Sequence, residues 1–340
     1  MMRMVGVRVG LALGVGLLST GGYPQAQARE IFWSETNSDA VFGASVTDGI
    51  PQRKIRDLDD TGRGERNYAI TGITFADDFL YYTAAGQDRI YYSSTLGDTP
   101  RGQFINLDNA FGGMDYRPQG ITANSEHVYW TDRATNSIYR ADAGPALNRT
   151  GATVLIDLSS LNDDFEPREI VVFGEDLYWT DRGVDAIFRS DLDGNNVTQL
   201  IDINDTFDDG SYVPGNITAT DRYIFWSDIE TDIIYRADRD GGNAIELIDT
   251  NAPAGDGPLG LTTDGLLLYW TTFAGNEILA ATFDGQVEST PRFTPEPDPT
   301  VSGFNVNALA IEYVPEPASL VLVAMGGLAL TRRRRDGLAD

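Results

Sequence analysis

The same short aromatic strand recurs six times along this chain, with its central ring at Trp33, Tyr82, Trp130, Trp179, Trp226 and Trp270. The copies read Ile31-Phe32-Trp33-Ser34, Leu80-Tyr81-Tyr82-Thr83, Val128-Tyr129-Trp130-Thr131, Leu177-Tyr178-Trp179-Thr180, Ile224-Phe225-Trp226-Ser227 and Leu268-Tyr269-Trp270-Thr271. Their rings lie 44 to 49 residues apart. A fixed period of that length marks an architecture in which each unit buries its apolar face only against its neighbours.

Eight residues after each ring stands another apolar residue: Val41, Ile90, Ile138, Ile187, Ile234 and Ile278. Ten residues before it a small residue usually precedes an apolar one, as in Gly72-Ile73, Gly120-Ile121, Asn216-Ile217 and Gly260-Leu261. A last run, Val154-Leu155-Ile156, Gln199-Leu200-Ile201 and Glu246-Leu247-Ile248, completes four short strands per unit. Four strands per ~45 residues predicts an all-β chain, a six-bladed β-propeller. The chain enters at a second strand, Ile31 to Ser34, and a sixth inner strand, Ala308-Leu309-Ala310-Ile311, comes last. The C-terminal strand is therefore expected to complete the first blade and abolish the open edge.

Tyr129-Trp130-Thr131-Asp132 and Tyr178-Trp179-Thr180-Asp181 resemble the YWTD motif of low-density lipoprotein receptor class B repeats, with Phe225-Trp226-Ser227-Asp228 a close variant. The resemblance covers roughly residues 31 to 312, and Ile138-Tyr139-Arg140-Ala141-Asp142 and Ile234-Tyr235-Arg236-Ala237-Asp238 match the same repeat's third strand. Glu35, Ala84 and Thr272 stand where the motif has Asp. The resemblance implies an interaction scaffold rather than an enzyme. The receptors' cysteine-rich module has no counterpart, since the chain has no cysteine.

Both ends read differently. Residues 1–28 carry Arg3 and Arg8, an apolar run from Val9 to Leu18 and then Ala26-Gln27-Ala28, the pattern of a secretory signal peptide cut after Ala28. In residues 315–340, Val314-Pro315-Glu316-Pro317 leads into an apolar run from Ala318 to Leu330 and then Arg332-Arg333-Arg334-Arg335. This resembles the PEP-CTERM sorting signal of bacterial surface proteins and implies processing by an exosortase-type enzyme. As a helix the run is ~20 Å long against a ~30 Å hydrocarbon core, so it spans only marginally, and the arginines hold its end inside. The alternative is a permanent single-span tail. Export by the general secretory route, transient inner-membrane anchoring and a final place at the surface, outer envelope or extracellular matrix follow as expectations.

The remaining domain, residues 29–314, keeps 19 basic and 48 acidic residues, a net charge of −29. Such a surface repels nucleic acid and anionic membranes. Its carboxylates gather in the connections from outer to next inner strand: Asp59 and Asp60, Asp108, Asp163 and Asp164, and Asp205, Asp208 and Asp209. Those connections share one face of a propeller, and Glu35, Asp132, Asp181 and Asp228 are expected to reach the same rim. Calcium is the ion such hard oxygen donors suit, although no segment has EF-hand spacing and no metal ligand set is assigned. The competing reading is solvated turn carboxylates that bond their own backbone.

Catalysis is narrowed by inventory. Any histidine-based triad must use His127, the only histidine, which is expected in an exposed turn opposite the acidic rim. A calcium-dependent hydrolase of the gluconolactonase type would need channel ligands, and the channel-facing candidates are Gln119, Arg168, Glu169, Asn216 and Asn307. That set mixes one acid with an arginine. The aromatic anchors are expected in the core. Asp193-Gly194, Asp240-Gly241 and Asp284-Gly285 are expected as tight hairpins, and Arg140, Arg189 and Arg236 as a charge ladder across blades. The sequence favours a non-catalytic module that binds a surface or matrix protein or a polysaccharide; a purely structural envelope component is the third reading.

Overall fold

The computed structural model describes residues 30–35, 39–45, 52–57, 68–76, 79–94, 101–113, 115–144, 151–161, 164–207, 210–250, 257–272, 277–288, 293–295 and 306–311. The expected export signal, with Ala26 and Ala28, and the sorting tail from Val314 to Arg335 lie outside them. Six antiparallel sheets follow one another, one per aromatic anchor. Their inner strands are Ile70–Ala76, Pro118–Ala123, Pro167–Phe173, Pro214–Ala219, Pro258–Thr263 and Val306–Ile311. The last of these pairs with Glu30–Glu35, with Ile311 opposite Ile31, so the chain's end closes blade 1 as the strand order predicts.

Within a blade the anchor ring lies flat on the ring opposite it in the third strand. Trp33 stacks on Phe42, Tyr82 on Tyr91, Trp130 on Tyr139, Trp179 on Phe188 and Trp226 on Tyr235, with centroids 5.3–5.9 Å apart and planes within 16°. Stacks of this kind add about 0.5–1.5 kcal/mol each beyond burial. In blade 6 the residue opposite Trp270 is Leu279, and among the described residues that sheet has three strands where four were expected. Its outer edge is covered by isolated bridges, Ile278 to Phe293 and Ala281 to Val287.

The third motif position holds the inner strands together. Each inner strand makes a bulge against its second strand, between Pro118 and Ile121 in blade 3 and at the matching place in the others. A bulge leaves an N–H without a ladder partner. Here the motif hydroxyl accepts it in all six blades. Ser34, Thr83, Thr131, Thr180, Ser227 and Thr271 take the N–H of Ala308, Gly72, Gly120, Glu169, Asn216 and Gly260 at 2.8–3.1 Å. Three of the hydroxyls also donate to the next blade: Thr83 to Gln119 O and Thr180 to Gly215 O, both at 2.7 Å, and Thr131 to Arg168 O. One hydroxyl thus fills a bulge and ties two blades around the central channel.

Candidate functional site: the channel mouth and the connection face

The motif carboxylates do not reach the rim as ligands. Asp132, Asp181, Asp228 and Glu35 are fully buried. Asp132 accepts Arg117 N at 2.8 Å on one oxygen and Ala134 N, Thr135 N and the Thr135 hydroxyl on the other, each at 3.1 Å. Asp228 does the same with Val213 N and with Glu230 N, Thr231 N and the Thr231 hydroxyl. Each therefore fastens the segment that leads into its own inner strand to the turn between second and third strands. Asp181 is the odd member: Oδ1 accepts Glu166 N and Gly183 N, while buried Oδ2 has no partner. Burial pushes the Asp181 carboxyl up to about 6 against the pull of its backbone donors.

Three of the eight connection carboxylates, Asp108, Asp164 and Asp205, fall among the described residues. Asp108 and Asp205 lie in the first turns of two short helices, Leu107–Phe111 and Ile203–Phe207. Asn106 Oδ1 accepts Asn109 N at the first, and Asp202 Oδ1 accepts Asp205 N at the second. Asp164 is exposed. Asp59, Asp60, Asp163, Asp208 and Asp209 lie outside the described residues. Among the described residues no three acidic or histidine side chains converge to hold a metal ion.

A feature that sequence reasoning missed governs the same face. Six residues after the anchor, Asp39, Asp88, Asn136, Asp185 and Asp232 take a left-handed conformation with φ of 47–57°. Asp and Asn tolerate that geometry better than other side chains. The carbonyls of the last four accept the N–H of Leu107, Leu158, Ile203 and Thr250, stopping each outer strand at a fixed place. The recurring Asp or Asn six residues after the anchor was a readable signal.

The five channel candidates do come together. Gln119, Arg168, Glu169, Asn216 and Asn307 line one cavity of about 230 Å³ at the channel mouth on the connection face. Glu169 and Asn216 also border a smaller cavity of about 110 Å³ deeper in the channel. Arg168 Nη1 donates to Gln119 Oε1 at 3.0 Å, and its Nε lies 3.7 Å from Glu166, which also faces Arg133 at 3.5 Å. Burial draws Arg168 below its ordinary value, and Arg182 and Arg133 add to this while Glu166 opposes it. Burial pushes Glu169 up to about 8, with Arg168 and the Ile170 N–H opposing, so its carboxyl is mostly protonated at neutral pH. The site needs glycine opposite: a Cβ on Gly120 would come within 2.6 Å of Arg168 O and 2.7 Å of Glu169 Oε2.

The far end of the ring is structural. His127 begins a second strand, partly covered, with Nε2 3.8 Å from Asp142, and is not in a free turn as expected. The Arg ladder is corrected too. Arg140 reaches Asp193 and Leu192 O in the next blade's hairpin, Arg236 reaches Phe283 O of the next blade and covers the Tyr223 ring, and Arg189 pairs with Asp176 of its own blade. Gly194, Gly241 and Gly285 all have φ of 77–90° in the three expected hairpins.

No protein-family model matches this sequence. No characterised protein matches it as a sequence relative either. Solved structures do share its fold. A chain of the nidogen–laminin complex superposes with a TM-score of 0.62 at 20% identity, covering 83% of this chain and 98% of that one. Virginiamycin B lyase from Staphylococcus aureus superposes with a TM-score of 0.53 at 16% identity, covering 76% and 84%. A second structure of that lyase, a histidine-to-alanine form described as catalytically inactive and holding quinupristin, gives 0.51 at 15%, covering 77% and 85%. At these identities the likeness establishes the ring of blades alone. The chain is an all-β, six-bladed propeller.

Proposed function

We propose that this chain is an exported, non-catalytic binding module of the bacterial surface or matrix, delivered through its signal peptide and sorted by its PEP-CTERM-like tail. The observation that carries the reading is the arrangement of the ends around the ring. The first and last described strands begin at Glu30 and end at Ile311, positions that lie side by side at the hairpin end of blade 1. An anchored tail would then turn the opposite face, with its helical connections and the channel mouth, away from the membrane.

A binding role fits the accounting of reactive groups. The buried carboxylates hold backbone donors, and the single histidine sits at the hairpin end beside Asp142. One lyase with this fold lost activity on replacement of a histidine; here no histidine lies at the channel mouth. The nidogen–laminin chain shows that the same ring serves in a protein–protein complex. A calcium-dependent hydrolase is the weaker reading, because the channel mouth offers one carboxyl beside an arginine. In this reading its macromolecular partner is a surface or matrix protein or a polysaccharide.

Fractionation of the native organism with intact-mass analysis tests this proposal. The expected product starts at Arg29, ends near the Pro315-Glu316-Pro317 motif and sits in the envelope or matrix fraction. A full-length chain recovered from the cytoplasm overturns it.

A further inference from the structure

The channel mouth was considered above as a calcium site, and its chemistry points the other way. Three arginines, Arg168, Arg133 and Arg182, lie close enough to influence one another at this edge, in a chain whose formal net charge is −26. Glu166 offsets part of that charge through Arg133 and Arg168. Arg168 commits Nη1 to Gln119 and Nε to Glu166, and among the described residues its Nη2 has no protein partner. The Asn216 side chain makes no hydrogen bond among the described residues although its backbone N–H is bonded. Asn307 donates from Nδ2 to Ile70 O at 3.2 Å and keeps its oxygen open. Leu259 and Ile229 supply an apolar wall.

We propose that this mouth binds a small hydroxyl-rich carboxylate, a uronic acid in size and chemistry, with Arg168 taking the acid group and Asn216, Asn307 and Gln119 the hydroxyls. A guanidinium offers planar paired donors that fit a carboxylate, and amides both donate to and accept from hydroxyls. The volume of about 230 Å³ is below the ~300 Å³ at which drug-sized sites begin, which suits one sugar ring. Glu169 lies against the ligand as a neutral donor at pH 7 and becomes a repelling anion as pH rises through about 8. The charged group acting on it is Arg168, which in turn feels Glu166, Arg182 and Arg133; the facing strands contribute Gln119, Gly120 and Asn216, none of which titrates. The proposal deepens the binding-module reading by naming the class of ligand. It stands or falls separately from the cell-surface reading, which the fractionation decides.

The test is isothermal titration calorimetry of the full chain with galacturonate, galactose, acetate and a galacturonate trimer. Galacturonate is expected to bind saturably and at least tenfold more tightly than galactose or acetate. Arg168→Gln is expected to lose at least tenfold while keeping its melting temperature. Raising pH from 7 to 9.5 weakens the wild type severalfold and leaves Glu169→Gln unchanged, a variant that keeps the neutral-state shape. A trimer binding at least as tightly as the monomer assigns the end of an acidic polysaccharide; monomer binding alone assigns the free acid. No saturable heat with galacturonate, equal affinity for acetate or galactose, or an unaltered Arg168→Gln overturns the proposal.

Discussion

At the residue scale, the motif aspartates show how one position can serve two chemistries. Asp228 uses both oxygens on backbone donors, whereas Asp181 leaves Oδ2 buried and unpaired. An amide at position 228 would turn an N–H₂ against an N–H, so Asp228→Asn is expected to destabilise by about 1–3 kcal/mol in urea unfolding, the cost of stranding a buried polar group. At position 181 the same change places the amide nitrogen where nothing is bonded. The folded carboxyl, near 6, lies above its unfolded value of about 3.9, so the fold favours the protonated form. The penalty is absent below pH ~4 and complete above pH ~6. Asp181→Asn is therefore expected to be neutral at pH 4 and to raise stability by up to about 3 kcal/mol at pH 7.5. Equal losses for the two variants at pH 7.5 would contradict this account. The sequence showed the aspartates and their spacing but not this difference, because identical motif letters meet different turns: Thr135 and Thr231 supply hydroxyls, and Gly183 supplies none.

At the element scale, strands and anchors were legible because a period-two strand with an aromatic centre repeats at a fixed length, and the core followed from it. Trp33, Trp130, Trp179, Trp226 and Trp270 are all buried. Less legible was what each hydroxyl does, since Thr and Ser suit strands for other reasons too. Thr131 accepts Gly120 N and donates to Arg168 O, one partner in its own blade and one in the next. Thr131→Val keeps the shape and strands both partners, so it is expected to cost about 2–4 kcal/mol, while Thr131→Ser costs under ~1 kcal/mol. Thermal unfolding of the pair checks this; a Val variant as stable as Ser would assign the hydroxyl no structural role. The expected outer strand of blade 6 falls partly outside the described residues. Among the described residues that edge carries isolated bridges to Val287 and Phe293, and Phe293 packs on Trp33 at 5.2 Å.

At the scale of the molecule, the ring was legible from the order of strands alone, since an inner strand arriving last can only return to the first blade. The channel candidates were legible too, because inner strands at one level of a ring must meet. Their chemistry was not, because it depends on the burial that neutralises Glu169 and on contacts between blades that no single repeat shows. The motif aspartates misled in the opposite direction: Asp132 and Asp228 look like rim ligands in sequence and fasten turns in the fold. The central claim is that the acids hold the ring and the channel mouth holds the ligand. The most direct measurement is the melting temperature of the full chain in excess EGTA, then with millimolar calcium and millimolar magnesium in turn. The account predicts the same small screening shift for both ions. A saturable rise of several degrees with calcium alone, the signature of an ion bound to the folded state, would contradict it.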